Sequence, residues 1–131
     1  MARAASTQPT EVELQILRIL WKTGGATARE LHNGLAEIEA KDTSYSTTVK
    51  MLAVMLDKQL VTRDEAASPQ VYYAAATQAS TQKRMLKDLI DKVYDGSALS
   101  LVLQALSAKK ASPDELAEVR RVLEQLERKS P

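Results

Sequence analysis

Residues 42 to 73 read Asp-Thr-Ser-Tyr-Ser-Thr-Thr-Val-Lys-Met-Leu-Ala-Val-Met-Leu-Asp-Lys-Gln-Leu-Val-Thr-Arg-Asp-Glu-Ala-Ala-Ser-Pro-Gln-Val-Tyr-Tyr. They place a helix with a small, polar first turn directly before two short strands joined by a turn. Ser44 or Thr43 can cap the helix, because a side-chain oxygen there accepts a hydrogen bond from an otherwise orphaned backbone N–H. From Val49 the apolar residues Val49, Leu52, Ala53 and Leu56 recur at i, i+3, i+4 and i+7, so this stripe is expected to be buried. The opposite stripe carries Ser46, Thr47 and Lys50. Short hydroxyls and a cation at the head of a helix suit entry into a DNA major groove. An ordinary capped core helix with a wet polar face would show the same residues.

The flanking sequence favours the first reading. Leu60 to Arg63 reads as a strand, Asp64 to Pro69 as its turn, and Gln70 to Ala74 as the returning strand. The period of two puts Val71 and Tyr73 on one face and Tyr72 on the other. We expect Val71 and Tyr73 to point inward, with Gln70 and Tyr72 outward. Upstream, Thr10 and Glu13 form a T-x-x-E capping box that opens a helix whose buried side is Leu14, Ile16, Leu17, Leu20 and Trp21. Gly24-Gly25 ends it. A second box, Thr27 to Glu30, starts another helix with Leu31, Leu35 and Ile38 on one side. Three helices and a hairpin in this order make a winged helix-turn-helix over residues 1–79.

Past Ala79 the pattern turns to helices without strand signals. Met85, Leu86, Leu89, Ile90 and Val93 give one wide apolar face, ended near Asp95-Gly96. Leu99, Leu101, Val102, Leu103 and Leu106 make the next helix apolar nearly all round. Ser112-Pro113-Asp114-Glu115 is a capping box with proline at the first helical position, followed by Leu116, Val119, Leu123 and Leu126 at steps of three and four. Residues 80–131 therefore read as a three-helix dimerisation domain, its apolar faces supplied by Leu86, Leu89, Ile90, Val93, Leu99, Val102, Leu103, Leu106, Leu116, Val119, Leu123 and Leu126. Twofold symmetry would pair two winged helices for a palindromic site. The alternative is a six-helix monomer.

Composition narrows the function. At 131 residues and 44% hydrophobic content the chain can bury a real core, and its 4% aromatic content leaves aliphatic side chains to build it. Without cysteine there is no disulfide framework and no thiolate metal site. No apolar run approaches the roughly 20 residues of a membrane helix, and the first nine residues lack the apolar region of a signal peptide. A cytoplasmic protein without membrane insertion is expected. The formal net charge is only +1, and residues 1 to 79 hold eight Lys and Arg against nine Asp and Glu. A DNA-binding half so balanced must gather its cations on one face. A winged helix that docks a partner protein instead of DNA is the rival reading, and the near-neutral charge is its argument.

Catalytic chemistry finds no constellation. His32 has neither a second histidine nor a cysteine to share a metal, and reads as a surface or packing residue. Asp88 with Asp91 and Asp114 with Glu115 are read as helix-dipole partners or solvated charges. Neither G-x-G-x-x-G nor G-x-x-x-x-G-K-[ST] occurs. No enzyme, metal or cofactor is expected. Lys41 and Arg63 are candidate phosphate clamps at the loop and the wing, or else solvated surface charges.

Three blocks resemble a known group. Thr10 to Trp21, Ala26 to His32 and Tyr45 to Leu52 are similar to the penicillinase-repressor family of bacterial transcription regulators, the BlaI and MecI type. The likeness continues through Val71-Tyr72-Tyr73, Asp95-Gly96-Ser97, Leu101-Val102 and Ser112 to Leu123, so it covers nearly the whole chain. It implies a homodimeric repressor on inverted-repeat operators, with Tyr45 to Lys50 in the major groove and the wing on the backbone. It also implies a membrane metalloprotease sensor of antibiotic that cleaves the repressor within its dimerisation region. Where that family typically has an Asn-Phe bond, this chain has Gln104-Ala105. Absence of cysteine removes the copper sensing of some relatives, and Gln59 stands where the family often has glycine. The residues and the resemblance together assign DNA contact to Thr27, Lys41, Ser44, Tyr45, Ser46, Thr47, Thr48, Lys50, Arg63, Gln70 and Tyr72, and the resemblance implies candidate cleavage at Gln104 and Ala105.

Overall fold

Two reciprocal caps set the first two helices. The Thr10 hydroxyl accepts from the Glu13 backbone N–H at 3.2 Å and the Glu13 carboxylate accepts from the Thr10 N–H at 2.9 Å, opening α1 (Glu11–Thr23). Gly24, at φ 82°, closes it in the left-handed region. Thr27 and Glu30 repeat the arrangement at 3.2 and 2.9 Å at the head of α2 (Ala28–Ile38). Between these helices Ala26–Thr27 form β1, a two-residue strand that a search for caps does not reveal. The computed structural model describes residues 8–38 and 43–130. The remaining elements are α3 (Tyr45–Asp57), β2 (Val61–Asp64), β3 (Val71–Ala74), α4 (Gln78–Val93), α5 (Ala98–Ala108) and α6 (Pro113–Lys129). The chain divides into two compact units, one up to Met85 and one from Leu86 onward.

In the first unit the sheet has the order β1-β3-β2, antiparallel throughout. Ala26 pairs with Tyr72, and Arg63 pairs with the same Tyr72 from the other side. The wing is therefore tied to the helical body through β1. A Cβ added to Gly25, whose φ is 145°, would lie 2.6 Å from the Tyr73 ring, so only glycine lets the tyrosine close over this turn. Trp21 donates from Nε1 to the Ala76 carbonyl at 2.9 Å and ties the end of α1 to the chain leaving β3.

The core lies between α1, α2, α3 and the sheet: Ile16, Leu17 and Leu20 meet Leu31 and Leu35, with Leu52, Met55, Leu60, Val61, Ala26 and Tyr72 closing it. Three expectations are corrected here. The buried stripe of α3 is Thr48, Leu52 and Met55, whereas Val49 is 39% exposed and Ala53 is also exposed. Burial thus follows the side of α3 that α2 can reach, and a threonine is tolerated there because it finds a hydrogen-bond partner. The tyrosines of β3 are also opposite to expectation: Tyr72 is 6% exposed and Tyr73 is 39% exposed. Tyr72 turns inward because its pairing with Ala26 places it over the core. Ile38, expected on the buried side of α2, is exposed.

The end of α3 is built without glycine. Gln59 takes φ 64°, its N–H donates to the Leu56 carbonyl at 3.0 Å, and the Leu60 N–H donates to the Met55 carbonyl at 2.9 Å. That is a Schellman closure with glutamine in the left-handed position. Just before it, Lys58 donates from Nζ to the Glu13 carboxylate at 2.8 Å, an ion pair in which the lysine side chain is 14% and the glutamate side chain 6% exposed. Burial works against the charged carboxyl, but hydrogen bonds from Lys58 and Thr10 outweigh it and hold its pKa below the ordinary value.

In the second unit Ser97 caps α5 and the Ser112–Glu115 box, with Pro113 in the first turn, opens α6. No residue of α5 or α6 is buried. Leu86, Leu89, Val93, Leu99, Val102, Leu103, Leu106, Leu123 and Leu126 are exposed, Leu99 by 69%. Ile90, Leu116 and Val119 are half-buried. Among the described residues no helix is long and apolar enough to cross a membrane.

Two outcomes follow for stability. The folded protein binds the Glu13 proton less tightly than the unfolded chain. Its contribution is therefore complete above the ordinary value of 4.5 and is lost as pH falls through the lower folded value. Glu13→Gln is expected to cost about 3 kcal/mol at neutral pH by urea denaturation, and to flatten the acid limb of the stability curve. Gln59→Gly is expected to add about 1 kcal/mol, read as a higher midpoint in thermal melts, because it removes a side chain from a left-handed position.

Candidate nucleic-acid interface

The head of α3 is held by Ser44. Its hydroxyl accepts from the Thr47 N–H at 3.2 Å and lies 2.8 Å from the Thr47 hydroxyl and 3.1 Å from that of Ser46. These three hydroxyls form one exposed cluster, with Lys50 exposed on the following turn. Ser44 is thus engaged in capping, which leaves Ser46, Thr47 and Lys50 to face outward.

Thr48 does not belong with them. Its side chain is 0% exposed and shares a 2.9 Å hydrogen bond with Nδ1 of His32 on α2, so it cannot reach a base edge. Its expected DNA contact is withdrawn on that ground. His32 in turn meets the Tyr45 ring edge-on, centroids 5.6 Å apart and planes at 89°. Over that ring lies Arg29, its guanidinium carbon 3.9 Å from the ring centroid. A cation over a tyrosine face contributes about 0.5–1 kcal/mol at an exposed site. Thr48, His32, Tyr45 and Arg29 therefore run as a chain of contacts from the core to the rim.

The wing completes the surface. Thr27, Ala28 and Arg29 of α2 and its approach, Tyr45 and Val49 of α3, and Pro69, Gln70 and Tyr72 of the wing line one open hollow. The geometry brings together Thr27, Tyr45, Gln70 and Tyr72 of the residues expected at DNA. Thr27 spends its hydroxyl on the Glu30 N–H, and Tyr72 is largely inward, so its expected outward contact is corrected to a supporting place under the wing. Gln70 is exposed. Arg63 is exposed and donates to the Glu65 carboxylate at 2.9 Å; Glu65, and then Tyr72, raise its pKa above the ordinary value. Lys41 lies outside the described residues. Sequence reasoning did not single out Arg29 and assigned His32 no partner; the only signal for either was the spacing that puts both on one side of α2.

Among the described residues no cluster of three or more His, Asp and Glu is placed to hold a metal ion. Among the described residues the surface offers the hydroxyls of Ser46 and Thr47, the Gln70 amide, the Tyr45 ring and the cations Arg29, Lys50 and Arg63.

Comparison with known proteins places this arrangement in context. The family model described as penicillinase repressor matches residues 9–125. The methicillin resistance regulatory protein MecI of Staphylococcus aureus strain N315 is 28% identical over 115 residues, 87% of this chain and 91% of that protein. The MecI of Staphylococcus epidermidis shows the same 28% over the same shares, and that of Mammaliicoccus sciuri 27%.

The His32–Thr48 bond has a measurable weight. Thr48→Val keeps the shape and removes the hydroxyl, and is expected to cost about 1–2 kcal/mol in urea denaturation, with Thr48→Ser recovering part of the loss.

Proposed function

The chain belongs to the penicillinase-repressor family of transcriptional repressors, and from that premise we propose that it acts as a homodimer on inverted-repeat operators. The observation that carries this reading is the convergence of three elements on one hollow, with the capped head of α3 projecting Ser46, Thr47 and Lys50 beside it. A helix so capped offers its first turn to base edges, while Arg63 and Gln70 on the wing meet the sugar-phosphate backbone. Residues 1–79 serve DNA and residues 80–131 serve dimerisation. Repression works by covering the promoter.

The dimer is supported by the second unit. Its apolar side chains from Leu86 to Leu126 stand exposed in a single chain, and two copies related by a twofold axis would cover them. The same axis sets the half-site spacing.

Derepression proceeds by cleavage at Gln104-Ala105 by a membrane metalloprotease sensor of antibiotic in the same cell, with the repressor in the cytoplasm. Both residues are exposed on α5. The named relatives are regulators of methicillin resistance, which supports an antibiotic as the inducing signal.

The test is fluorescence anisotropy of the full chain on a labelled duplex from the promoter region of its own gene, with scrambled competitor and a salt series. Specific binding that weakens steeply with salt is the expected result. Equal, weak binding to both duplexes would favour a winged helix that docks a protein, the reading that the net charge of +1 supports. Lys50→Ala is expected to weaken promoter binding by about 1–3 kcal/mol in the same assay.

A further inference from the structure

Of the cations at the candidate interface, Arg63 is committed to Glu65, whereas Lys50 and Arg29 have no ion pair among the described residues; Arg29 differs from Lys50 in being held on an aromatic ring. Among the described residues no carboxylate lies within ion-pair distance of Arg29. It is held by the face of Tyr45 instead, 3.9 Å from the ring centroid. The two modes differ in what they leave over. A carboxylate occupies the N–H edge of a guanidinium, whereas a ring under its plane leaves the in-plane donors open. An exposed guanidinium with no ion pair among the described residues matches the geometry of a phosphate diester.

Its place supports the same ligand. Arg29 is exposed on the rim of the hollow where α2, α3 and the wing meet, with Thr27, Tyr45 and Gln70 around it. The platform beneath it is braced: Tyr45 and His32 meet in a T-shaped contact, and His32 is bonded at 2.9 Å to the fully buried Thr48. An arginine already ordered on a braced ring loses less freedom when it binds than one on an unsupported stem.

We propose that Arg29 is a DNA-phosphate contact and that His32, acting through Tyr45, is the positioning residue that aims it. The assignment rests on the DNA-binding reading above and deepens it. Arg29 supplies sequence-independent affinity, not base selection. It binds the same phosphate position whatever the bases.

The test measures binding of the full-length protein to a labelled promoter-region duplex and to a scrambled duplex of equal length, each across a potassium chloride series. Arg29→Met should weaken both by the same factor and lower the slope of log affinity against log salt by about 1 per bound protomer. Arg29→Lys should keep the slope while losing affinity, because the charge remains and the stacked fork does not. His32→Ala should weaken both duplexes, and His32→Asn, whose amide can reach Thr48 but offers Tyr45 no ring, should recover only a small part of the loss. Partial misfolding of a variant lowers the signal amplitude but leaves the slope of the folded fraction unchanged. An Arg29→Met slope equal to that of the wild type overturns the phosphate assignment, as does a loss confined to the promoter duplex. Wild-type affinity in His32→Ala overturns the positioning role. A wild-type protein that binds neither duplex with salt dependence overturns the DNA-binding reading itself, and is distinguished from the other failures by that control.

Discussion

The interface depends on the 2.8 Å ion pair between Glu13 and Lys58. Glu13 closes the cap of α1 and also receives the lysine that ends α3, so one carboxylate fixes where both helices sit. A buried pair adds little net stability over well-packed apolar residues, but breaking it leaves a charge stranded. Its main contribution is positional. Leucine and methionine contacts along α3 would tolerate a small roll or slide of the helix; a short charge-assisted bond at its end does not. At the other end His32 and Thr48 do the same with a second side-chain hydrogen bond. Between these two points α3 is tied at both ends to the helices beneath it.

What could be read from the sequence was local. Both N-terminal capping boxes, the Gly24 stop and the Ser112 start lie within a few residues of their own partners, and spacing alone reveals them. The winged arrangement followed from their order. The phase of α3 and of β3 was misjudged for a common reason: in each case a residue from a distant segment decides which side is buried. Thr48 looks like a polar surface residue until His32 supplies its partner, and Tyr72 looks like the outer tyrosine until β1 pairs against it. The two-residue β1 carries no pattern of its own. Arg29 was invisible as a site because its meaning comes from Tyr45, sixteen residues on, and no periodicity links them. Gln59 gave the opposite lesson, since the turn needing a left-handed residue is present without glycine.

The net charge of +1, an obstacle while only totals are considered, becomes intelligible once the pairs are located. Charges of opposite sign are used against each other inside the molecule, at Glu13–Lys58 in the body and at Arg63–Glu65 on the wing. The remaining exposed cations near the hollow are few, and where they stand matters more than how many there are. Net charge describes solubility and long-range attraction; it says little about a surface a few ångströms across.

The pairing of Arg63 with Glu65 carries a kinetic consequence. An arginine that already has a carboxylate gains little by trading it for a phosphate, since one anion merely replaces another. On the proposed DNA-binding reading the wing carries its own counterion and would add little affinity for random DNA. A regulator that binds DNA in this way would dwell briefly at each wrong sequence, its search set by travel between sites more than by escape from them.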